Sequence, residues 1–171
     1  MYDNSPIEPD TLPGIKGITW NPLARAYMKE ICIEHLIWVG VIAIGYGVFV
    51  TIAPANPNFW FVWIGLALLL ALLLTHARFA VPKKGYAIRE HDILFKTGLI
   101  FQRRTAIPFN RVQHAETSRG PLERYLGLAS LKLFTAGGSS GDLTIPGLEF
   151  EAADRLRDFV LDRIGKEDDE S

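Results

Sequence analysis

Two long apolar runs constrain this chain more than any other feature. They occupy residues 36–52 and 59–74, contain no charged residue, and are separated only by a turn at 53–58 that is rich in Pro and Asn. Each run is about 16–17 residues long, near the lower limit for a membrane-spanning helix, and flanking residues can extend both. We predict a transmembrane helical hairpin over residues 23–80, with spans at about 31–52 and 59–80. The alternative, two buried helices of a soluble core, would be hard to cover in a chain of 171 residues.

Lysine and arginine flank this hairpin on one side only. Arg25 and Lys29 precede the first run, Arg78, Lys83 and Lys84 follow the second, and the connecting loop has no basic residue. The positive-inside rule then places both termini in the cytoplasm and the short loop outside. We therefore predict a multi-pass protein of the cytoplasmic membrane.

The first 22 residues differ from a secretory signal. They are polar and rich in proline, which predicts a flexible leader over 1–22. Asn21 and Pro22 form a plausible helix start, with Asn21 as the cap and Pro22 in the first turn. From Leu23 the pattern is amphipathic. This segment either lies at the membrane interface or runs straight into the first span.

Charge and cysteine content exclude some classes of function. The net charge is −1, and no basic arm is present, so the sequence gives no argument for nucleic-acid binding. The lone cysteine, Cys32, cannot form an internal disulfide. The four histidines lack metal-ligand spacing, and no phosphate-binding loop occurs, so we expect neither a metal nor a cofactor.

After residue 83 the apolar period changes from helical to strand-like. The last element is a helix at about 148–164, which Gly165 ends and which carries one apolar stripe. Such a helix must bury its stripe against an open end or face of a sheet. The predicted strands lie at 86–88, 93–96, 99–107, 112–117, 128–136 and 143–145, with a short helix at 121–127, and the stripe consists of Phe150, Ala153, Leu156, Val160 and Ile164.

The fold class follows from this order of elements. We predict a membrane α-helical hairpin followed by an α+β domain at 83–165. This domain has the layout of a pleckstrin-homology-like (PH-like) antiparallel β-barrel or sandwich capped by a C-terminal α-helix. Residues 166–171 are predicted to be an acidic disordered tail.

Several sequence segments resemble the second bacterial PH-like domain family, whose members are small membrane proteins with two transmembrane helices. The resemblance covers residues 83–164 and implies a membrane-bound, non-catalytic module without active-site residues. It also implies a larger partner protein that carries several such domains. The matching segments are Tyr86-Ala87-Ile88, Thr97-Gly98, residues 103–108 and 111–116, residues 121–131, the loop Ala136-Gly137-Gly138 and the final helix.

The candidate contact residues are all basic. Neighbouring strand residues Arg103 and Arg104 point to opposite faces of a sheet, so one can reach a partner. Near-surface cations of this kind attract anionic lipid, although they are also compatible with ordinary solvated charge. The first hairpin, Arg89-Glu90-His91-Asp92, is not basic, which argues against a specific inositol-lipid site. The predicted membrane-surface or partner contacts are Arg25, Lys29, Arg78, Lys83, Lys84, Arg103 and Arg104.

Three functions remain open at this stage, in order of preference. The first is a scaffold or subunit of a membrane protein complex, which binds another membrane protein with PH-like domains or itself. The second is a module that senses anionic lipid through Lys83, Lys84, Arg103 and Arg104. The third, an enzyme of the membrane plane, ranks last because the spans offer no catalytic polar residue beyond Glu34, His35 and His76. Separately, Gly137-x-Ser139-x-Gly141 matches the pattern of a nucleophile elbow but lacks the helix that must follow it.

Overall fold

The structure, a computed structural model, describes residues 17–52, 59–136 and 141–169. Residues 1–16 of the predicted leader, the loop at 53–58, the hairpin tip at 137–140 and residues 170–171 lie outside the described residues. The predicted leader extends to residue 22, and this prediction is wrong at Asn21–Pro22, which form a strand.

Two long helices open the described chain. Helix α1 is Ala26–Ile52 and helix α2 is Phe59–Ala80, and both are long and apolar enough to cross a membrane. They pack on each other, with the rings of Tyr46 and Trp63 in an edge-to-face contact at 5.8 Å between centroids. Most of their other large apolar side chains are exposed. Their outer surface therefore requires an apolar surrounding rather than water.

The predicted start of the first helix at Asn21 is wrong. Asn21–Pro22 forms a short strand, β1, which pairs with Tyr86 and Gly85, and α1 begins only at Ala26. The physical reason is that a strand partner more than sixty residues away in sequence satisfies the backbone here. From Ala26 the helix runs without interruption into the first span, so the segment does not form a separate interfacial helix.

The remaining chain forms two antiparallel sheets. One sheet consists, in spatial order, of β1, Gly85–Ile88 (β2), Asp92–Thr97 (β3) and Arg103–Pro108 (β4). The other consists of Val112–Ser118 (β5), Leu128–Thr135 (β6) and Leu143–Glu149 (β7). A 3-10 turn, Val81–Lys83, connects α2 to the first sheet, and a second one, Phe109–Arg111, connects the sheets. Helix α3 is Pro121–Leu126 and helix α4 is Phe150–Asp169.

A single core lies between the sheets and α4. The predicted stripe of α4 is buried at Ala153, Leu156 and Val160, which belong to one buried cluster with side chains of both sheets. The largest fully buried side chains are Phe109, Ile93, Leu128, Leu131, Leu133, Ile145 and Val160. This arrangement confirms the predicted helical hairpin followed by a PH-like fold with a C-terminal helix.

Several predicted boundaries are wrong. Strand β7 continues to Glu149 instead of ending at residue 145, so α4 begins at Phe150 rather than at about 148. Strand β4 begins at Arg103 rather than residue 99, because residues 98–102 form the loop between β3 and β4. Helix α4 continues past Gly165 to Asp169, so the predicted tail at 166–169 is helical. Gly165 lies where a Cβ would meet open space, and nothing there requires the left-handed conformation that ends a helix.

The domain has a proximal end next to the transmembrane helices and a distal end away from them. At the proximal end, next to the helices, Gly85 pairs with Lys96 and Lys96 pairs with Arg104. At the distal end, the turn between β2 and β3 receives the Phe109 amide, which donates to the His91 carbonyl. The loop between β3 and β4 therefore lies at the proximal end, and the turn at 89–91 lies at the distal end.

Candidate functional site

The segment just before α1 and the first turn of α1 are built into the core of the domain. Leu23 and Tyr27 belong to the same buried cluster as the strand residues, and the Ala24 amide donates to the Gly147 carbonyl at 2.8 Å. Gly147 has φ +65°, and a Cβ at this position would collide with the ring of Tyr27. The aromatic ring can therefore lie directly on the β7 backbone. This contact joins the helical hairpin to the domain without a flexible linker.

Lys84 contributes to the same junction. Its ammonium group donates to the Tyr27 hydroxyl at 3.0 Å and lies 5.0 Å from the centroid of the Tyr27 ring. The side chain is half-buried, since these contacts hold it against α1. Of the predicted basic residues, Lys84 thus has a defined intramolecular contact with the helix that leads into the first span.

The other predicted basic residues are exposed and lie around the proximal end. Arg25 and Lys29 flank the start of α1, and both line a broad groove between β1 and the start of α4. Arg78 lies in the last turn of α2. Lys83 ends the 3-10 turn, while Arg103 and Arg104 begin β4. The structure brings only the last three of these together.

A cleft of about 300 Å³ forms where Lys83 meets the β3–β4 hairpin. Strand register places Lys96 opposite Arg104 and Thr97 opposite Arg103. Like charges directly opposite each other on paired strands repel, so this arrangement favours a bound anion. The cleft is lined by Pro82, Lys83, Lys96, Thr97, Gly98, Gln102, Arg103 and Arg104, and these lining residues include four cations and no carboxylate.

Sequence reasoning missed Lys96 in this cleft. A tight turn at Thr97-Gly98 would pair Lys96 with a residue near position 99, whereas the longer loop pairs it with Arg104. The Lys96 ammonium also lies 4.7 Å from the Trp20 ring centroid, which is a cation–π contact. The only available signal was the run of five residues between Thr97 and Arg103, which is a common length for a hairpin loop.

Glu30 is a buried acid at the junction. One of its carboxylate oxygens, Oε2, has no hydrogen-bond partner among the described residues. Glu123 approaches from α3, where it accepts the Gly120 amide and the Ser130 hydroxyl, the latter at 2.7 Å. Outside the helices, burial raises the pKa of the Tyr86 hydroxyl, which lies beside β1.

A second surface feature lies along the outer side of α1. Gly40, Ala43, Gly47 and Thr51 line a shallow groove that Trp63 of α2 borders. A Cβ at Gly40 would meet nothing, and a Cβ at Gly47 would meet only the Trp63 ring at 3.9 Å. The small residues are therefore not required for contact between α1 and α2. Spacing of this kind lets another helix approach closely.

Neither the nucleophile-elbow pattern nor a metal site gains support from the described residues. The Gly137-x-Ser139-x-Gly141 pattern falls almost wholly outside the described residues, and β7 rather than a helix follows it. Among the residues the structure describes, no three His, Cys, Asp or Glu side chains come together as a metal site.

Comparison with known proteins shows similarity to a protein family and to a relative of known sequence. A profile of the family described as bacterial PH domain matches residues 35–164. The UPF0699 transmembrane protein YdbS of Bacillus subtilis (strain 168) is 35% identical over 133 residues, covering 70% of this chain and 80% of that protein. No solved structure gives a significant match. The profile covers α2 completely, most of α1 and strands β2 to β7, so the similarity extends over helices and domain together.

Proposed function

Because the chain belongs to the bacterial PH domain family, with two transmembrane helices before the domain, we propose that it is a non-catalytic scaffold or subunit of a membrane protein complex. The family assignment confirms the resemblance found in the sequence. In this proposal the domain is presented at the cytoplasmic face of the membrane. Its partner is another membrane protein with PH-like domains, a second copy of this chain, or both.

One observation carries the scaffold proposal. The domain is joined to the helices by a packed contact rather than a flexible linker, since Tyr27 of α1 is buried in the domain core and lies against Gly147. A domain fixed to its transmembrane helices presents one surface to a neighbouring protein in a constant orientation. Less conformational freedom is then lost on binding, which favours stable assembly.

Charge placement supports the cytoplasmic orientation. Arg25, Lys29, Arg78, Lys83 and Lys84 all lie at the end of the helices that carries the domain. An excess of Lys and Arg next to the spans is typical of cytoplasmic segments. We therefore place the domain and both termini in the cytoplasm.

The groove on α1 supports association within the membrane. Gly40 and Gly47 leave backbone accessible to another transmembrane helix, and neither is needed for packing within this chain. Helices in lipid associate through such close contacts. The groove thus fits a helix of a partner or of a second copy.

The proposal is tested by purifying the full-length protein in mild detergent and measuring its native mass. We expect a stoichiometric second membrane protein or a second copy. Gly40→Leu fills the groove and should reduce recovery of that species about tenfold. Ala67→Leu adds bulk at an exposed position of α2 and is the matched control. A wild-type protein that is purely monomeric would overturn the proposal.

A second candidate function, recognition of anionic lipid, is favoured by the proximal cleft. Its lining contains Lys83, Lys96, Arg103 and Arg104 without a carboxylate. A phosphate group from a lipid would relieve the repulsion between these cations. Each near-surface cation contributes about 1 kcal/mol to such attraction.

The lipid test requires the full chain, because a fragment starting at residue 83 would lack Leu23 and Tyr27 of the core. We expect R103Q/R104Q to weaken retention of phosphatidylglycerol about thirtyfold in native mass spectrometry, since two cations are lost. R111Q/R155Q removes the same charge elsewhere and should change retention little. Wild-type retention should also fall with added salt. Equal retention by both variants would rule out the cleft as the lipid site.

A further inference from the structure

The loop between β3 and β4 exposes large apolar side chains without a partner in the described chain. Phe101 is 89% exposed and Ile100 is 79% exposed. Phe101 is thus more exposed than Ile52, at 80% the most exposed large apolar side chain described in the two helices. Adjacent exposed apolar side chains at a loop tip are unusual in water-facing regions of a folded domain.

The loop has a defined shape. Gly98 takes φ +105°, and a Cβ there would collide with the carbonyl oxygen of Phe101. The backbone therefore turns back tightly on itself between Thr97 and Arg103, which are directly paired. The exposure of Ile100 and Phe101 follows from this tight turn, because the strands occupy the inner side of the hairpin.

The loop between β3 and β4 lies close to the end of the second transmembrane helix. Pro82 and Lys83, which lie in the 3-10 turn that follows α2, line one cleft with Gly98 and Gln102. The loop therefore lies next to the point at which the chain leaves the second transmembrane helix. The nearest large apolar phase at that point is the bilayer that α1 and α2 cross.

The charges around the loop match a bilayer surface. Lys96, Arg103 and Arg104 lie at the base of the hairpin, below the apolar tip. Lys83 adds a fourth cation on the side of the helix. An apolar tip flanked by cations is typical of segments that insert shallowly between lipid headgroups.

We propose that residues 98–102 insert into the interface of the same bilayer that the helices span. Ile100 and Phe101 then lie on the hydrocarbon side of the headgroups, and the basic residues lie at phosphate level. The domain is then held to the membrane at two points, the helical hairpin and this loop. Two points fix the tilt of the domain relative to the bilayer. This inference does not depend on the existence of a partner subunit.

The test places a reporter beside the tip and leaves the apolar residues intact. In the full-length protein with Cys32→Ala, an environment-sensitive fluorophore is attached to the thiol of Q102C. The protein is inserted, one copy per disc, into nanodiscs of phosphatidylcholine and phosphatidylglycerol. The matched control carries the fluorophore at E90C, an exposed position in the distal turn. Shallow spin-labelled lipid and aqueous iodide serve as quenchers.

We expect quenching by spin-labelled lipid to be about tenfold stronger at residue 102 than at residue 90, and quenching by iodide to show the opposite order. Adding Ile100→Ser and Phe101→Ser should bring the reporter at 102 to the level of residue 90. Because these side chains are exposed, the variant should keep its fold. A loop that instead binds a protein would remain in water in a disc with one copy. Equal quenching at both positions would therefore overturn the proposal.

Discussion

Gly147→Ala should detach the start of α1 from the domain and lower the free energy of unfolding by about 3 kcal/mol. The added methyl group must occupy the space of the Tyr27 ring, and overpacking of this kind costs about 1–3 kcal/mol. A left-handed backbone conformation, here φ +65°, adds about 1–2 kcal/mol for any residue with a Cβ. The two terms act at the same position, which makes the effect large for a single methyl group.

The Ala24 amide reports this detachment directly, because it donates to the Gly147 carbonyl. Hydrogen exchange at Ala24 should accelerate about hundredfold in the variant, as expected for about 3 kcal/mol of lost local stability. Gly127→Ala is the matched control, since Gly127 has φ +71° and a Cβ there meets nothing. It should cost about 1 kcal/mol and leave Ala24 exchange near its original rate. Unchanged protection of Ala24 in Gly147→Ala would contradict the proposed junction.

Phe109→Ala should be the most destabilising simple truncation in the domain, costing about 3–5 kcal/mol. The side chain is fully buried in the connection between the two sheets, and its ring meets that of Phe159 of α4 edge-to-face at 5.9 Å. Truncation leaves a cavity between the sheets and the C-terminal helix. The midpoint of thermal unfolding of the domain should fall by about 10–20 °C.

Phe101→Ala removes the same atoms from an exposed site and serves as the control. In detergent it should change the free energy of unfolding by less than about 0.5 kcal/mol. Similar losses in the two variants would mean that Phe109 does not hold α4 against the sheets. The pair also separates the two roles of phenylalanine in this domain, since only Phe101 is proposed to contact lipid.

These predictions have a functional consequence. The junction at Tyr27 couples the transmembrane helices to the surface that the domain presents, and Gly147→Ala weakens that coupling without touching the groove on α1. If assembly depends on a fixed orientation of the domain, the Gly147→Ala variant should also recover less of the complex. The groove residue Gly40 then affects assembly by a separate route.

The sequence determined those features that depend on local pattern and length. The two uncharged apolar runs are long enough to predict long helices. Alternating apolar residues after residue 83 predict strands wherever one face is buried. The stripe Ala153, Leu156 and Val160 predicted the buried face of α4 for the same reason. Each of these signals is repeated over several residues, so no single distant contact can override it.

Only the tertiary structure decided the features that depend on a partner far away in sequence. Asn21 became a strand because Tyr86 was available to pair with it, and the 98–102 loop was set by register against Arg103. Lys96 joined the basic cleft through the same register. Tyr27 entered the core because Gly147 lacks a side chain at the point of contact. Such pairings are fixed when the whole chain packs, and a pattern read along a short segment does not contain them.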